Sequence, residues 1–211
     1  MQIFMLVLSL ISGYLLGSVN MAIIVGNIFG ENIRKKGSGN AGLTNTLRVL
    51  GPKAAVIVLA CDILKAVFAC LLGYFLTVSL FDSEKLFDFE NPNLGLMLGG
   101  TSCILGHLFP VFFQFKGGKG VLTAATVVFM MDWRIGAILL CLFIIVLLIT
   151  RYVSVGSITA AVGLPIVSLI LSKPTYSMVY SIAIALLIII MHRQNIARLI
   201  NGSEPKQKIG R

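Results

Sequence analysis

Seven apolar runs separated by short polar breaks leave this chain little choice of architecture. They fall at 2–30, 54–80, 94–115, 118–132, 134–151, 153–173 and 175–193. A bilayer core is about 30 Å thick and takes about 20 apolar residues per helical crossing. Within it only helices or closed barrels satisfy the backbone. With 57% hydrophobic and 12% charged residues among 211, little sequence remains for a soluble domain. The chain therefore reads as an all-α membrane protein of about seven transmembrane helices, a single polytopic domain over 1–211, with a fourth run short for a full crossing. The first run has no basic residue ahead of it and no small-residue cleavage site, so it reads as a retained span.

Charge placement orients the spans. The connection 31–53 carries Arg34, Lys35, Lys36, Arg48 and Lys53 against Glu31 alone, which puts it in the cytoplasm. Residues 81–93 hold Asp82, Glu84, Asp88 and Glu90 and suit the outer side. Lys116, Lys119 and the tail with Arg193, Arg198, Lys206, Lys208 and Arg211 return to the inside. Seven spans then place the N-terminus outside and the C-terminus in the cytoplasm. The net charge of +9 is a topology signal rather than a nucleic-acid footprint. Every polar, glycine-rich and basic stretch, 31–53, 116–120, 151–157 and 192–204, falls on the cytoplasmic side. Cys61, Cys70, Cys103 and Cys141 lie in apolar runs without C-x-x-C spacing, so neither a disulfide framework nor a structural metal is expected.

The first candidate site is GSGNAGLTNTLR at 37–48. Its glycines match G-x-G-x-x-G, yet no strand precedes them and no acidic residue follows in a second strand, which argues against a dinucleotide fold. Gly37, Gly39 and Gly42 nevertheless expose backbone N–H groups, with Ser38, Asn40, Thr44, Asn45 and Thr46 as neutral donors and Arg48 as a fixed cation. Such a loop can cradle an oxyanion; the plainer alternative is a flexible turn. In FKGGKGVLTAAT at 115–126, Gly117, Gly118 and Gly120 surround Lys119 at the start of a helix. The pattern fails Walker A. It suits either an anion held at a helix N-terminus or a positive-inside hairpin turn.

In HRQNIARLINGSE at 192–204, His192 and Asn195 share a helix face, with Arg198 about a turn further on. His192 could be a base, an anion donor or an interfacial histidine. In RYVSVGS at 151–157, helix capping or packing is the stronger reading of Ser154 and Ser157. Asp62 and Lys65 stand one turn apart inside a span, either a functional pair or a structural couple, and His107 is equally open. Gly13 and Gly17 form a GxxxG that predicts close helix packing. Asp132, Trp133 and Arg134 read as an interfacial belt. With no H-x-x-x-x-D, G-x-S-x-G or H-E-x-x-H pattern, a protein base is hard to nominate, and the basic glycine loops point to a site for one or two phosphates.

Jointly, GSGNAGLTNTLRVLG, the DILK of the second run, GHLFPVFFQFKGGKG followed by Thr123, RYVSVGSI and HRQNIARLINGSE cover 37–204 in order. In this the chain resembles the bacterial acyl-phosphate-dependent glycerol-3-phosphate acyltransferases of the PlsY type. Leu43 departs from the alanine more usual there, and the acidic segment at 81–93 is longer than usual.

The resemblance implies transfer of a fatty acyl group from acyl phosphate to the 1-hydroxyl of glycerol 3-phosphate. The products are lysophosphatidate for phospholipid biosynthesis and phosphate. No coenzyme A, metal or other cofactor is implied, and a substrate phosphate acts as the base. It further implies that Ser38, Arg48, Lys119, His192 and Asn195 carry the chemistry, with Gly37, Gly39, Asn40, Gly42, Thr44, Asn45, Gly117, Gly118, Gly120 and Ser157 binding substrate. The expected setting is a monomer in the bacterial cytoplasmic (inner) membrane, its site facing the cytoplasm, with membrane lipid as neighbour and no nucleic-acid partner.

Two rivals remain at this stage. A transporter or exchanger of a small phosphorylated metabolite would place cationic residues near the bilayer midplane on repeated broken helices, whereas the polar stretches here lie at one face. A membrane scaffold binding partners through its basic face explains the charge but not the glycine-rich donors.

Overall fold

The computed structural model describes residues 2–78 and 93–207. The expected outer acidic segment therefore lies outside the described residues except for Asn93, as do Lys208 and Arg211 of the tail. Among the described residues there are ten α-helices, one 3₁₀ turn and no strand. The chain forms two compact units, Met1–Met131 and Asp132–Arg211.

The first unit comprises α1 (Gln2–Ser18), α2 (Met21–Ile28), α3 (Leu43–Leu50), α4 (Pro52–Thr77), α5 (Leu94–Leu108), a 3₁₀ turn at Val111–Phe113 and α6 (Val121–Met131). Helices α1, α4 and α5 pack on one another, and α6 lies against α4 and α5. The GxxxG of α1 faces α5 as its spacing predicts. A Cβ on Gly13 would stand 2.6 Å from the Gly99 carbonyl oxygen, and one on Gly17 would press into the Cys103 carbonyl. Small residues let helix backbones approach where lipid supplies no hydrophobic drive. Because the obstacle is backbone, Gly17→Ala is expected to destabilise this unit by about 1–2 kcal/mol, measured as a lower thermal midpoint in detergent.

The first expected span, 2–30, is two helices rather than one. Asn20 N-caps α2, its Oδ1 accepting the Ile23 amide at 3.1 Å, and the chain breaks between α1 and α2. An asparagine inside an apolar run competes for backbone in this way. The connection 31–53 is likewise not all loop. It contains α3, entered from Gly42 and closed at Gly51 (φ +83°), with Pro52 opening α4. Proline in the first turn of a helix costs no hydrogen bond.

The second unit comprises α7 (Trp133–Thr150), α8 (Val153–Ile170), α9 (Thr175–Met191) and α10 (Arg193–Ile200), with α8 packed on both α7 and α9. Asp132, expected in an interfacial belt, is buried and held in an ion-pair clamp. It accepts from Arg134 Nε at 3.0 Å and Nη2 at 2.9 Å, and Lys173 Nζ, from the turn before α9, lies 2.7 Å from Oδ2. Burial pushes this carboxyl up, but the bonds from Arg134 and Lys173 outweigh it and hold it below the ordinary range. Trp133 alone of that trio is widely exposed, at 56%.

Among the described residues, five segments suit a membrane crossing by length and composition: Ile3–Ile28, Pro52–Thr77, Leu94–Phe113, Trp133–Thr150 and Val153–Ile170. A sixth forms if α9 and α10, bent by 56° at their break, count as one span. The expected fourth span is α6, whose 11 residues reach only about 16 Å, half the bilayer core. Helix α7 leaves Ile138, Ile144, Ile145, Leu148 and Ile149 exposed, an apolar surface suited to lipid rather than water.

Candidate active site

In the first unit the loop 37–42 is built around one buried side chain. Asn45, on the first turns of α3, accepts the Ser38 amide on Oδ1 at 2.8 Å and donates through Nδ2 to the Ile33 and Lys36 carbonyls at 2.9 and 3.0 Å. Gly37 turns the chain at φ +60°, and a Cβ there would collide with Asn45 Oδ1. Thr46, fully buried, donates to the Gly42 carbonyl at 3.1 Å. The neutral donors thus divide into two sets. Asn45 and Thr46 are spent on holding the loop. Ser38, Asn40 and Thr44 are half-buried and Arg48 exposed, and among the described residues none hydrogen-bonds to or pairs with these four side chains. Asn45, expected to bind substrate, holds the loop through these three bonds, and Asn45→Ala is expected to cost about 2 kcal/mol, because three backbone groups lose their partner. Unfolding in detergent measures this.

The second glycine loop joins the first. The Gly117 and Gly118 amides donate to the Leu108 and His107 carbonyls at 3.2 and 3.1 Å, folding 114–120 back over the end of α5. A Cβ on Gly118 would stand 2.5 Å from the Ala41 carbonyl oxygen and press on the His107 ring. Glycine here permits two loops to touch, so Gly37–Gly42 and Gly117–Gly120 form one neighbourhood. Lys119 is half-buried within it, two residues before α6. Thr123, in the first turn of α6, is buried with a hydroxyl that has no hydrogen-bond partner among the described residues.

In the second unit the polar residues gather around Glu204. Its Oε1 accepts from Ser154 Oγ at 2.7 Å and Asn195 Nδ2 at 2.6 Å, and its Oε2 from Arg198 Nε at 2.7 Å. Burial pushes the Glu204 carboxyl up, yet these three bonds and the Arg198 charge outweigh it and hold it below the ordinary carboxylate range. With its amide nitrogen committed, Asn195 keeps a buried Oδ1 without a hydrogen-bond partner among the described residues. His192, 2% exposed at the α9–α10 bend, donates from Nδ1 to the Ile188 carbonyl at 2.7 Å. Ser157 lies one turn along α8 from Ser154 and returns its hydroxyl to the Val153 carbonyl at 2.9 Å. Glu204 was not singled out from sequence, although it is the sole acidic residue after Asp132.

A sequence model of the family described as Glycerol-3-phosphate acyltransferase matches residues 7–202. The chain belongs to that family. "Glycerol-3-phosphate acyltransferase 2" of Bacillus anthracis is 45% identical over 202 residues, covering 95% of this chain and 98% of the relative. A glycerol-3-phosphate acyltransferase of Thermoanaerobacter pseudethanolicus is 41% identical, covering 95% and 94%. Among solved structures, the crystal structure of PlsY (YgiH), an integral membrane glycerol 3-phosphate acyltransferase, in its glycerol 3-phosphate form superposes with a TM-score of 0.82 at 34% identity, covering 96% of each chain. Its lysophosphatidic acid form gives 0.78 at 34% identity. In this member of the acyltransferase family, both glycine loops, the Glu204 cluster and His192 fall within the matched residues or at their edge.

Proposed function

We propose that the chain transfers a fatty acyl group from acyl phosphate to the 1-hydroxyl of glycerol 3-phosphate. The hydroxyl oxygen attacks the acyl carbonyl carbon, the bond from that carbon to the phosphate oxygen breaks, and the electron pair leaves with inorganic phosphate. The hydroxyl proton passes to a substrate phosphate, whose second ionisation near 6 makes its dianion a competent acceptor at neutral pH. The observation that carries the reading is the pair of apposed glycine loops beside Ser38 and Arg48, two side chains to which none of the described residues hydrogen-bonds. Amides of 37–42 hold the donor phosphate and the developing oxyanion. In the first unit Arg48 and Lys119 bind substrate phosphate; in the second, His192 and Asn195 bind the acceptor, for which the buried Oδ1 of Asn195 is a fit hydroxyl acceptor.

The acceptor identity draws support from the glycerol 3-phosphate and lysophosphatidic acid forms of the PlsY relative. The setting we propose is a monomeric, seven-span protein of the bacterial cytoplasmic membrane, one polytopic domain with its N-terminus outside, its C-terminus and site inside, and no nucleic-acid partner. A lipid donor and a lipid product explain why such an enzyme resides in a bilayer.

The test supplies purified protein in lipid nanodiscs with glycerol 3-phosphate and either acyl phosphate or acyl coenzyme A. Lysophosphatidate is expected from acyl phosphate alone. Product from the coenzyme A ester alone overturns the donor, and no product from either overturns the enzyme.

A further inference from the structure

Asp62, Lys65 and His107, all in the first unit, form a buried cluster that acyl transfer as described does not use. Lys65 Nζ lies 2.8 Å from Asp62 Oδ1, at an angle that makes the contact Coulombic rather than a hydrogen bond. The same ammonium donates to the Val19 carbonyl at 2.9 Å and the Gly17 carbonyl at 3.3 Å, and meets His107 Nδ1 at 3.1 Å. An ammonium only donates, so Nδ1 must present its lone pair and the His107 ring is neutral with its proton on Nε2. A buried ion pair is weak support for stability, since packed apolar side chains do as well. What it adds is direction.

We infer that Asp62, Lys65 and His107 are positioning residues that set both glycine loops from within the membrane. One path runs through His107, whose carbonyl accepts the Gly118 amide at 3.1 Å and whose ring occupies the space a Gly118 side chain would fill. The other runs through the α1–α2 break. Lys65 fixes the Val19 carbonyl, and the next residue, Asn20, donates from Nδ2 to the Ala41 carbonyl at 3.4 Å in the first loop. Both paths end at one contact, the Ala41 oxygen against Gly118. Charge inside a span is costly, and here it ties together the three backbone segments on which the phosphate cradle rests.

This role rests on the acyltransferase reading for its kinetic consequence, but its structural consequence is read without substrate. The experiment compares wild type, Lys65→Met, His107→Leu, His107→Gln and Gly118→Ala by amide hydrogen exchange and by steady-state kinetics. Lys65→Met and His107→Leu are expected to speed exchange at 37–42 and 117–120 by at least about tenfold, with α7 and α8 unchanged, and to raise the KM for acyl phosphate more than they lower kcat. His107→Gln keeps one acceptor and one donor and is expected to restore most of the protection. Gly118→Ala is expected to reproduce the defect from the loop side and to add little to His107→Leu.

Wild-type exchange at both loops in Lys65→Met and His107→Leu overturns the inference. So does a loss of protection spread evenly over all helices, or failure of His107→Gln to differ from His107→Leu. Where Lys65→Met does not fold, His107→Gln and Gly118→Ala decide. A wild-type protein that makes no lysophosphatidate sinks the enzymatic reading, and the exchange data then judge the positioning role separately.

Discussion

Arg48→Ala is expected to lower kcat/KM for acyl transfer by about 100-fold or more, the scale of losing one preorganised donor to a developing anion, while leaving the thermal midpoint where it was. Arg48 is exposed on α3, and among the described residues none hydrogen-bonds to it or pairs with it, so its removal orphans none of them. A change within about 0.5 kcal/mol is the norm for such a surface position. Arg48→Lys is expected to recover little, because a guanidinium offers two parallel donors to a phosphate and an ammonium is a point charge. Lys119→Ala belongs in the same series and should match the loss in rate. Asn45→Ala should give the opposite signature, with lower stability first and lower activity as its result. Kinetics and unfolding on the same preparations separate the two. Full activity in Arg48→Ala would remove the phosphate cradle as described.

The contrast between Arg48 and Asn45 also marks what the sequence could and could not reveal. Span positions were legible because the bilayer imposes a length. The expected runs 134–151 and 153–173 became α7, Trp133–Thr150, and α8, Val153–Ile170, and 54–80 became α4, Pro52–Thr77. The break at Val19 and Asn20 was hidden because apolar residues continue on both sides of it, and hydropathy does not sense a single N-cap. Helix α3 was hidden for a related reason. Its buried face is Asn45 and Thr46, polar residues whose burial rests on hydrogen bonds to the loop rather than on apolar periodicity.

Chemistry was legible wherever it depends on the backbone. Glycines beside basic residues announce amides that an anion could use, and it was on that ground that 37–42 and 117–120 were expected to form a site; the structure brings the two loops together. Which neutral side chains hold the loop was not legible, since Ser38 and Asn45 look alike as donors until the partners of Asn45 are known. The Asp62–Lys65 spacing left a structural couple and a functional pair equally open. It is the third dimension that adds His107 to them. Glu204 did leave a signal, one acid in a strongly basic tail, and a lone charge of opposite sign among cations is a reasonable place to look for a hub.

Glu204→Ala is expected to destabilise the second unit by about 2–4 kcal/mol. Three donors lose a charged acceptor, and the figure stays below that of a fully desolvated pair because Arg198 is partly exposed, at 29%. Glu204→Gln tests the charge separately from the shape. The native carboxyl is held below its ordinary value, so its contribution is complete above about pH 5 and disappears as pH falls through the lowered value. A glutamine has no such dependence. The gap in thermal midpoint between wild type and Glu204→Gln should therefore be widest near neutrality and close in acid. Asp132 shares the same direction of shift and acts equally in both proteins, so the difference isolates Glu204. No gap at any pH would mean that the cluster needs the shape of residue 204 and not its charge. Asn195 and Arg198 would then keep their places without an anion, and their availability to a substrate phosphate would rise instead of falling.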